Sequence, residues 1–303
     1  MKPPAQDRNR NERIFLRLCL FTTGASTLVL EIIGTRLISP YYGSSLYCWS
    51  ALITVTLLAL AIGYFWGGLL ADRSPALTLA ARLLAGAALS VAATPALRVP
   101  ALSATAPLGI QLGALASAVI LVAPALVLLS AIGPLAVRLA AEGLATVGRS
   151  TGEVYAVSTM GSVAGAVLAG FVLIPRLPLS QILYGMAVLL LLLSAWAHHL
   201  SQRRLPLSQP ALAAAIALIG FWPRPHEETN IALNVESPYG QIKVLDTATK
   251  RYLLVDGTTQ SMALLPSLRG DSRYARVMEL AAAARPRAKR ALVIGLGAGH
   301  LTS

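Results

Sequence analysis

Ala291-Leu292-Val293-Ile294-Gly295-Leu296-Gly297-Ala298-Gly299 is the stretch on which the fold assignment turns. A short apolar run feeding a G-x-G-x-G turn is how a doubly wound nucleotide-binding sheet opens. The apolar residues form its first buried strand, and the glycines let the backbone turn tightly against an adenosine-bearing ligand. The chain ends four residues later, at Ser303. The expectation is therefore that this Rossmann-like domain is cut short, that the catalytic residues lie beyond Ser303, and that the chain as given does not catalyse.

Upstream, composition changes the class of protein. Of the 303 residues, 55% are hydrophobic and 13% charged, and the mean hydropathy is +0.65; soluble domains carry about 25% charged residues. The apolar residues fall in long blocks, each about the length that crosses roughly 30 Å of hydrocarbon. Residues 1–222 read as a polytopic helical membrane domain with about seven apolar segments, at 14–38, 50–70, 76–97, 107–141, 154–174, 179–196 and the short 210–222. The fourth is interrupted by Pro124 and Pro134, so it should be one span with a kinked continuation.

The net charge of +12 sits mainly at segment ends, where it sets topology, and no basic patch interleaves with aromatics as nucleic-acid binding would need. Nucleic acid is thus not an expected partner; the lipid bilayer is. Lys2, Arg8, Arg10 and Arg13 place the N-terminus in the cytoplasm, while the uncharged, aromatic Pro40–Trp49 connection reads as an outer interfacial belt. The expected location is a bacterial inner (plasma) membrane. Seven crossings would put the soluble part outside, where adenosyl ligands are scarce. Either the seventh block is re-entrant or interfacial, or the kinked fourth run crosses twice, or the soluble part is external; the nucleotide-type turn favours a cytoplasmic soluble part. Cys19 and Cys48 have no C-x-x-C or histidine neighbours, so packing is expected and no metal site.

Two kinds of residue stand out within the membrane part. Glu31 and Arg36 lie inside the first span, and charges at that depth mark a polar cavity or a buried pair. Five apart, they are badly placed to meet on one helix, so partners on other helices, Arg138 or Glu153, are expected. The pairs Gly63/Gly67, Gly109/Gly113 and Gly161/Gly165 have the four-residue spacing that lets helices approach closely in lipid.

Residues 223–289 shift to mixed composition. Residues 233–246 and 251–256 read as strands joined by a turn at Thr247–Lys250. Asp256-Gly257 forms a second turn, and a helix should run from an Asp271 N-cap to about residue 284. Residues 290–303 begin the adenosyl-binding domain.

Taken in order, Ser237-Pro238-Tyr239-Gly240-Gln241-Ile242, Leu254-Val255-Asp256-Gly257-Thr258-Thr259-Gln260, Asp271-Ser272-Arg273-Tyr274 and the glycine turn resemble the N-terminal part of spermidine synthases, the polyamine aminopropyltransferases. Leu30–Ser45 and Gly152–Ser162 look like membrane segments of the membrane-bound spermidine synthase-like proteins, in which a facilitator-like helical domain precedes the synthase domain. Gly67-Gly68-Leu69-Leu70-Ala71-Asp72-Arg73 resembles part of the cytoplasmic loop between helices two and three of major facilitator transporters, in keeping with an inside N-terminus.

The resemblance implies that Gln241, Gly295, Gly297 and Gly299 bind the adenosyl donor, and that Tyr274 and Gln260 lie on the amine side. The donor would be decarboxylated S-adenosylmethionine or S-adenosylmethionine, with a small-molecule amine or another acceptor as partner and no metal. Synthases usually carry His or Gln and then Glu where this chain has Ala275 and Arg276, and an acidic residue where it has Ala298. Ala298 is closer to a general methyltransferase turn. Two other functions follow from the same residues: a small-molecule transporter or sensor working through the helices, and a methyltransferase acting on a membrane-associated acceptor.

Overall fold

The computed structural model describes residues 5–43, 45–74, 76–140, 147–202, 208–221, 230–237, 240–255, 258–271 and 277. The chain divides into two compact units, residues 1–38 with 44–223, and residues 39–43 with 224–303.

The first unit is helical. Its helices are α1 (Ala5–Tyr42), α2 (Leu46–Arg73), α3 (Leu77–Thr105), α4 (Gly109–Leu121), α5 (Ala123–Ser130) and α6 (Ile132–Ala140). They are followed by α7 (Val147–Leu168), α8 (Ile174–Arg176), α9 (Leu179–Gln202) and α10 (Ser208–Phe221). Among the described residues six helical tracts are long and apolar enough to cross a membrane, and the helix at Ser208–Gly220 is shorter. The protein is a membrane protein by this criterion.

Proline governs the departures from the expected boundaries. Residues 76–97 were expected to end between Pro95 and Pro100, yet α3 runs through both prolines to Thr105. In hydrocarbon a helix is the only cheap home for the backbone, and neighbours re-satisfy the groups a proline frees. Pro124 and Pro134 do break the fourth block, at the joints that begin α5 and α6. The α3–α4 reversal is made by Gly109, whose φ of +79° is open to glycine and strained for other residues. Beyond that reversal, Thr94 Oγ1 donates to Leu121 O at 3.3 Å, so the limbs run back along each other.

Small residues set the tightest packing. A Cβ on Gly161 or Gly165 would strike the backbone of Phe21 or Ala25, so α7 lies directly on α1. Gly63 and Gly67 likewise seat α2 against Val127, Ser130 and Ala131. These two pairs are packing glycines. Gly109 is a turn residue with open space around it, and so departs from the reading of its pair. Phe15 meets Trp196 edge to face at 5.3 Å, and Cys19 and Cys48 are buried and not joined in a disulfide.

One contact decides the path of α10. A Cβ on Gly220 would lie 2.6 Å from Tyr184 Cβ, so the end of α10 lies beside the first turns of α9. The 14 residues of α10 therefore run back along α9 for about 21 Å.

The second unit contains β1 (Ile231–Ser237), β2 (Gly240–Asp246), β3 (Lys250–Val255) and β4 (Thr258–Leu264). They form a four-stranded antiparallel sheet in the order β1-β2-β3-β4. A two-strand unit was expected. The single strand read at 233–246 is two strands, because Ser237 pairs with Gly240 across Pro238-Tyr239, and proline cannot donate to a ladder. Val255 of β3 pairs with Thr258 of β4, and the turn expected at Asp256-Gly257 between them lies outside the described residues. The turn read at Thr247–Lys250 is closed by Thr247 N donating to Lys250 O at 2.7 Å. The helix expected after Asp271, Val277 apart, and the Rossmann-like strand lie outside the described residues.

Candidate functional site

Of the residues implicated in adenosyl and amine binding, the structure places two on the sheet. Gln241 is in β2, opposite Glu236 of β1. Gln260 is in β4 and exposed. Gly295, Gly297, Gly299 and Tyr274 lie outside the described residues, as do Asp256 and Gly257.

The sheet is pinned by ion pairs. Arg251 donates from Nε and from its terminal nitrogen to the two carboxylate oxygens of Asp246, both at 2.6 Å. The pair sits opposite itself in register, a bidentate geometry in which both hydrogen bonds are charge-assisted. Those hydrogen bonds hold the Asp246 carboxyl below its ordinary range, and they push the Arg251 guanidinium up. Asp271 gives its carboxylate to Lys250 at 2.7 Å and its N–H to Met262 O at 2.9 Å; the helix it was expected to cap lies outside the described residues.

In the membrane unit the expected partners of Glu31 and Arg36 are engaged elsewhere. Glu153 accepts from Arg17 at 2.7 Å. Arg138 faces Asp72 at 3.9 Å. Arg17 is fourteen residues before Glu31 on the same helix, about 21 Å along the axis, so the Arg17–Glu153 pair does not reach Glu31. Snorkelling explains the error: long side chains near helix ends find partners at the interface rather than at depth. Glu31 itself is half-buried on α1.

Around Arg36 the structure shows a device that the sequence reading missed. Pro40 lies inside α1. It has no N–H for the carbonyl four residues back, and its ring crowds that carbonyl. That carbonyl belongs to Arg36. Arg98 of α3 reaches across and donates to Arg36 O and Leu37 O, both at 3.0 Å. A proline in one span and an arginine in another were both visible, but their pairing depends on which helices touch.

A second cluster lines a cavity of about 380 Å³ between the end of α2, α6 and the first half of α7. Its walls include Tyr64, Asp72, Arg138, Thr151, Tyr155 and Ser158. Gly68 presents bare backbone there, with open space where a side chain would be. The 3.9 Å Asp72–Arg138 pair is exposed, worth at most about 1 kcal/mol, so both groups can exchange partners with a polar small molecule. Asp72 was singled out only as part of a topology motif; its spacing carried no hint of Tyr155, eighty-three residues away.

No family model, no curated protein and no solved structure matches this chain significantly.

Proposed function

We propose that the chain is a membrane-embedded helical domain fused to a spermidine synthase-like domain, which transfers an aminopropyl group from an adenosyl sulfonium donor to an amine. The observation that carries this reading is an order of elements. An antiparallel sheet bearing Gln241 and Gln260 precedes a strand sequence that runs into Gly295, Gly297 and Gly299. In such a transfer the amine nitrogen attacks the carbon bonded to the sulfonium. The carbon–sulfur bond breaks with its electron pair going to sulfur, methylthioadenosine leaves, and the amine gives up a proton. The donor is already activated, so protein groups contribute orientation and a base. Ala298 admits a methyl group as the transferred unit. The reading puts the N-terminus and the soluble unit in the cytoplasm of a bacterial plasma membrane, where donors of this kind are made.

One observation favours a second reading, a small-molecule transporter or sensor. Because Gly220 abuts Tyr184, α10 covers most of a hydrocarbon core, and a seventh crossing would carry the following residues to the side opposite the N-terminus. The cavity with Asp72 and Arg138 then becomes the ligand site.

The two are separated on the full native protein. Arg8→Cys and His226→Cys, each alone, are labelled with an impermeant maleimide from either side of the membrane, and S-adenosylmethionine and its decarboxylated form are titrated. Transferase function predicts that both cysteines react only from the cytoplasm, and that Gly297→Val weakens donor binding at least tenfold. Labelling of His226→Cys from outside, with no donor binding, would overturn it in favour of the second reading.

A further inference from the structure

Between Leu168 and α8 the chain makes a π-helical turn, Ala169–Leu173. A π turn is wider than the α-helix around it and is common at functional sites. Here it coincides with a slot between α1, α7 and α9. Thr22, Ser26 and Val29 form one wall, Gly165 and Leu168 a second, and Gly185 and Met186 a third. The slot holds about 270 Å³ and is apolar nearly throughout. Toward the beginning of α9 it is closed by Leu177 and Gln181, and it extends inward as far as Leu189.

Its dimensions restrict what fits. Gln181 to Leu189 is eight residues of helix, about 12 Å. A volume of 270 Å³ over that length leaves a cross-section of about 20 Å². That accommodates one extended hydrocarbon chain and excludes another helix, which is about 10 Å across. The slot lies within segments long and apolar enough to span, so the surrounding solvent is hydrocarbon. Leu168 and Leu189, 46% and 47% exposed, flank a lateral opening. The polar end is equally defined. Gln181 lies at the top of the slot, and Arg176 stands at the end of α8, just before α9. Among the described residues Arg176 donates only at long range, 3.4 and 3.5 Å, to Phe171 O and Val172 O.

We propose that this slot binds one acyl chain of an anionic bilayer phospholipid, with its phosphate at the level of Gln181 and Arg176. The bilayer supplies a chain of the right width, the wall supplies contacts on three sides where an annular lipid has one, and the guanidinium supplies the charge. The site lies at the same end of α9 as the last turn of α10, where the chain leaves the helical unit. It is independent of whether the second unit transfers an alkyl group.

Gly185 makes the test clean. A Cβ built there meets nothing within 4 Å, so Gly185→Phe can fill the slot without displacing a neighbour. Gly152 on α7 is equally open and lies outside the slot, so Gly152→Phe is the control. The full chain is reconstituted with phosphatidylglycerol carrying a diazirine midway along one acyl chain and photolysed, and the cross-linked peptides are mapped. Cross-links should concentrate on Val29, Met186 and Leu189, fall at least tenfold in Gly185→Phe, and persist in Gly152→Phe. Arg176→Gln should reduce the yield severalfold with phosphatidylglycerol and leave it unchanged with a zwitterionic phospholipid probe. Cross-links spread evenly over outward residues such as Phe171 and Leu192, or an unchanged yield in Gly185→Phe, would overturn the proposal and leave annular lipid only. Circular dichroism and elution volume of Gly185→Phe, matched to the parent, exclude misfolding as the cause of a loss.

Discussion

Replacing Arg98 with methionine should destabilise the helical unit by about 1–3 kcal/mol, and removing Pro40 should relieve part of that cost. Arg98→Met keeps the length of the side chain but deletes both donors to Arg36 O and Leu37 O. A hydrogen bond involving a charged group contributes about 1.5–3 kcal/mol in soluble proteins, whereas interhelical hydrogen bonds in membranes average about 0.6 kcal/mol and reach about 1.7. Two such bonds give the range above. The molecular cause makes a sharper claim. Arg36 O needs Arg98 because Pro40 has no N–H to offer, so Pro40→Ala should restore the missing intrahelical bond. In that background Arg98→Met should cost about half as much. The assay is a double-mutant cycle on unfolding free energy in bicelles, with the parent, both singles and the double. Strict additivity, within about 0.5 kcal/mol, would refute the idea that the arginine repairs the proline's defect. Arg98→Lys should fall between parent and methionine, because one ammonium cannot span two carbonyls with the geometry of a guanidinium fork.

Three further outcomes follow. The Asp246 carboxyl is depressed by its hydrogen bonds from Arg251, so its contribution is fully present above the unfolded value near 3.9 and is lost as pH falls through the folded value. Amide protection factors in β2 and β3, corrected for the intrinsic pH dependence of exchange, should therefore fall in acid, and Asp246→Asn should remove that part of the pH dependence; an unchanged profile would count against the pair. Gly161→Leu must push α7 off the Phe21 backbone and should cost more than about 2 kcal/mol, read as loss of folded protein in detergent, whereas Gly148→Leu, in open space, should be tolerated. Arg17→Gln should lower stability by no more than about 1 kcal/mol, since its partner Glu153 and it are both exposed; a larger loss would mean the pair is held more tightly than a surface pair.

How much was readable depended on the range of the forces involved. Hydrophobic block length is a local quantity, so the spans around α1, α2, α7 and α9 stood out, as did the breaks at Pro124 and Pro134. Hairpin loops are local too, which is why Asp256-Gly257 and Thr247–Lys250 fell between strands as read. The break between β1 and β2 was overlooked because alternating residues on both sides of it read as one continuous strand. Glu31 and Arg36 were found from the cost of charge at depth, whereas the partners expected for them, Glu153 and Arg138, pair with Arg17 and Asp72. The pairs that exist, Arg17–Glu153 and Asp72–Arg138, join residues far apart in sequence and close in depth.

The sequence by itself determined that this is a polytopic membrane chain with a strand-rich extension, because solvent preference and turn chemistry act through each residue and its neighbours. Only the tertiary structure decided that Arg98 serves the backbone of α1, that α10 returns along α9 as far as Tyr184, and that three helices leave a slot one hydrocarbon chain wide. Those depend on which faces meet, and in lipid that choice is made by close packing of small residues rather than by a hydrophobic pattern a linear reading can detect.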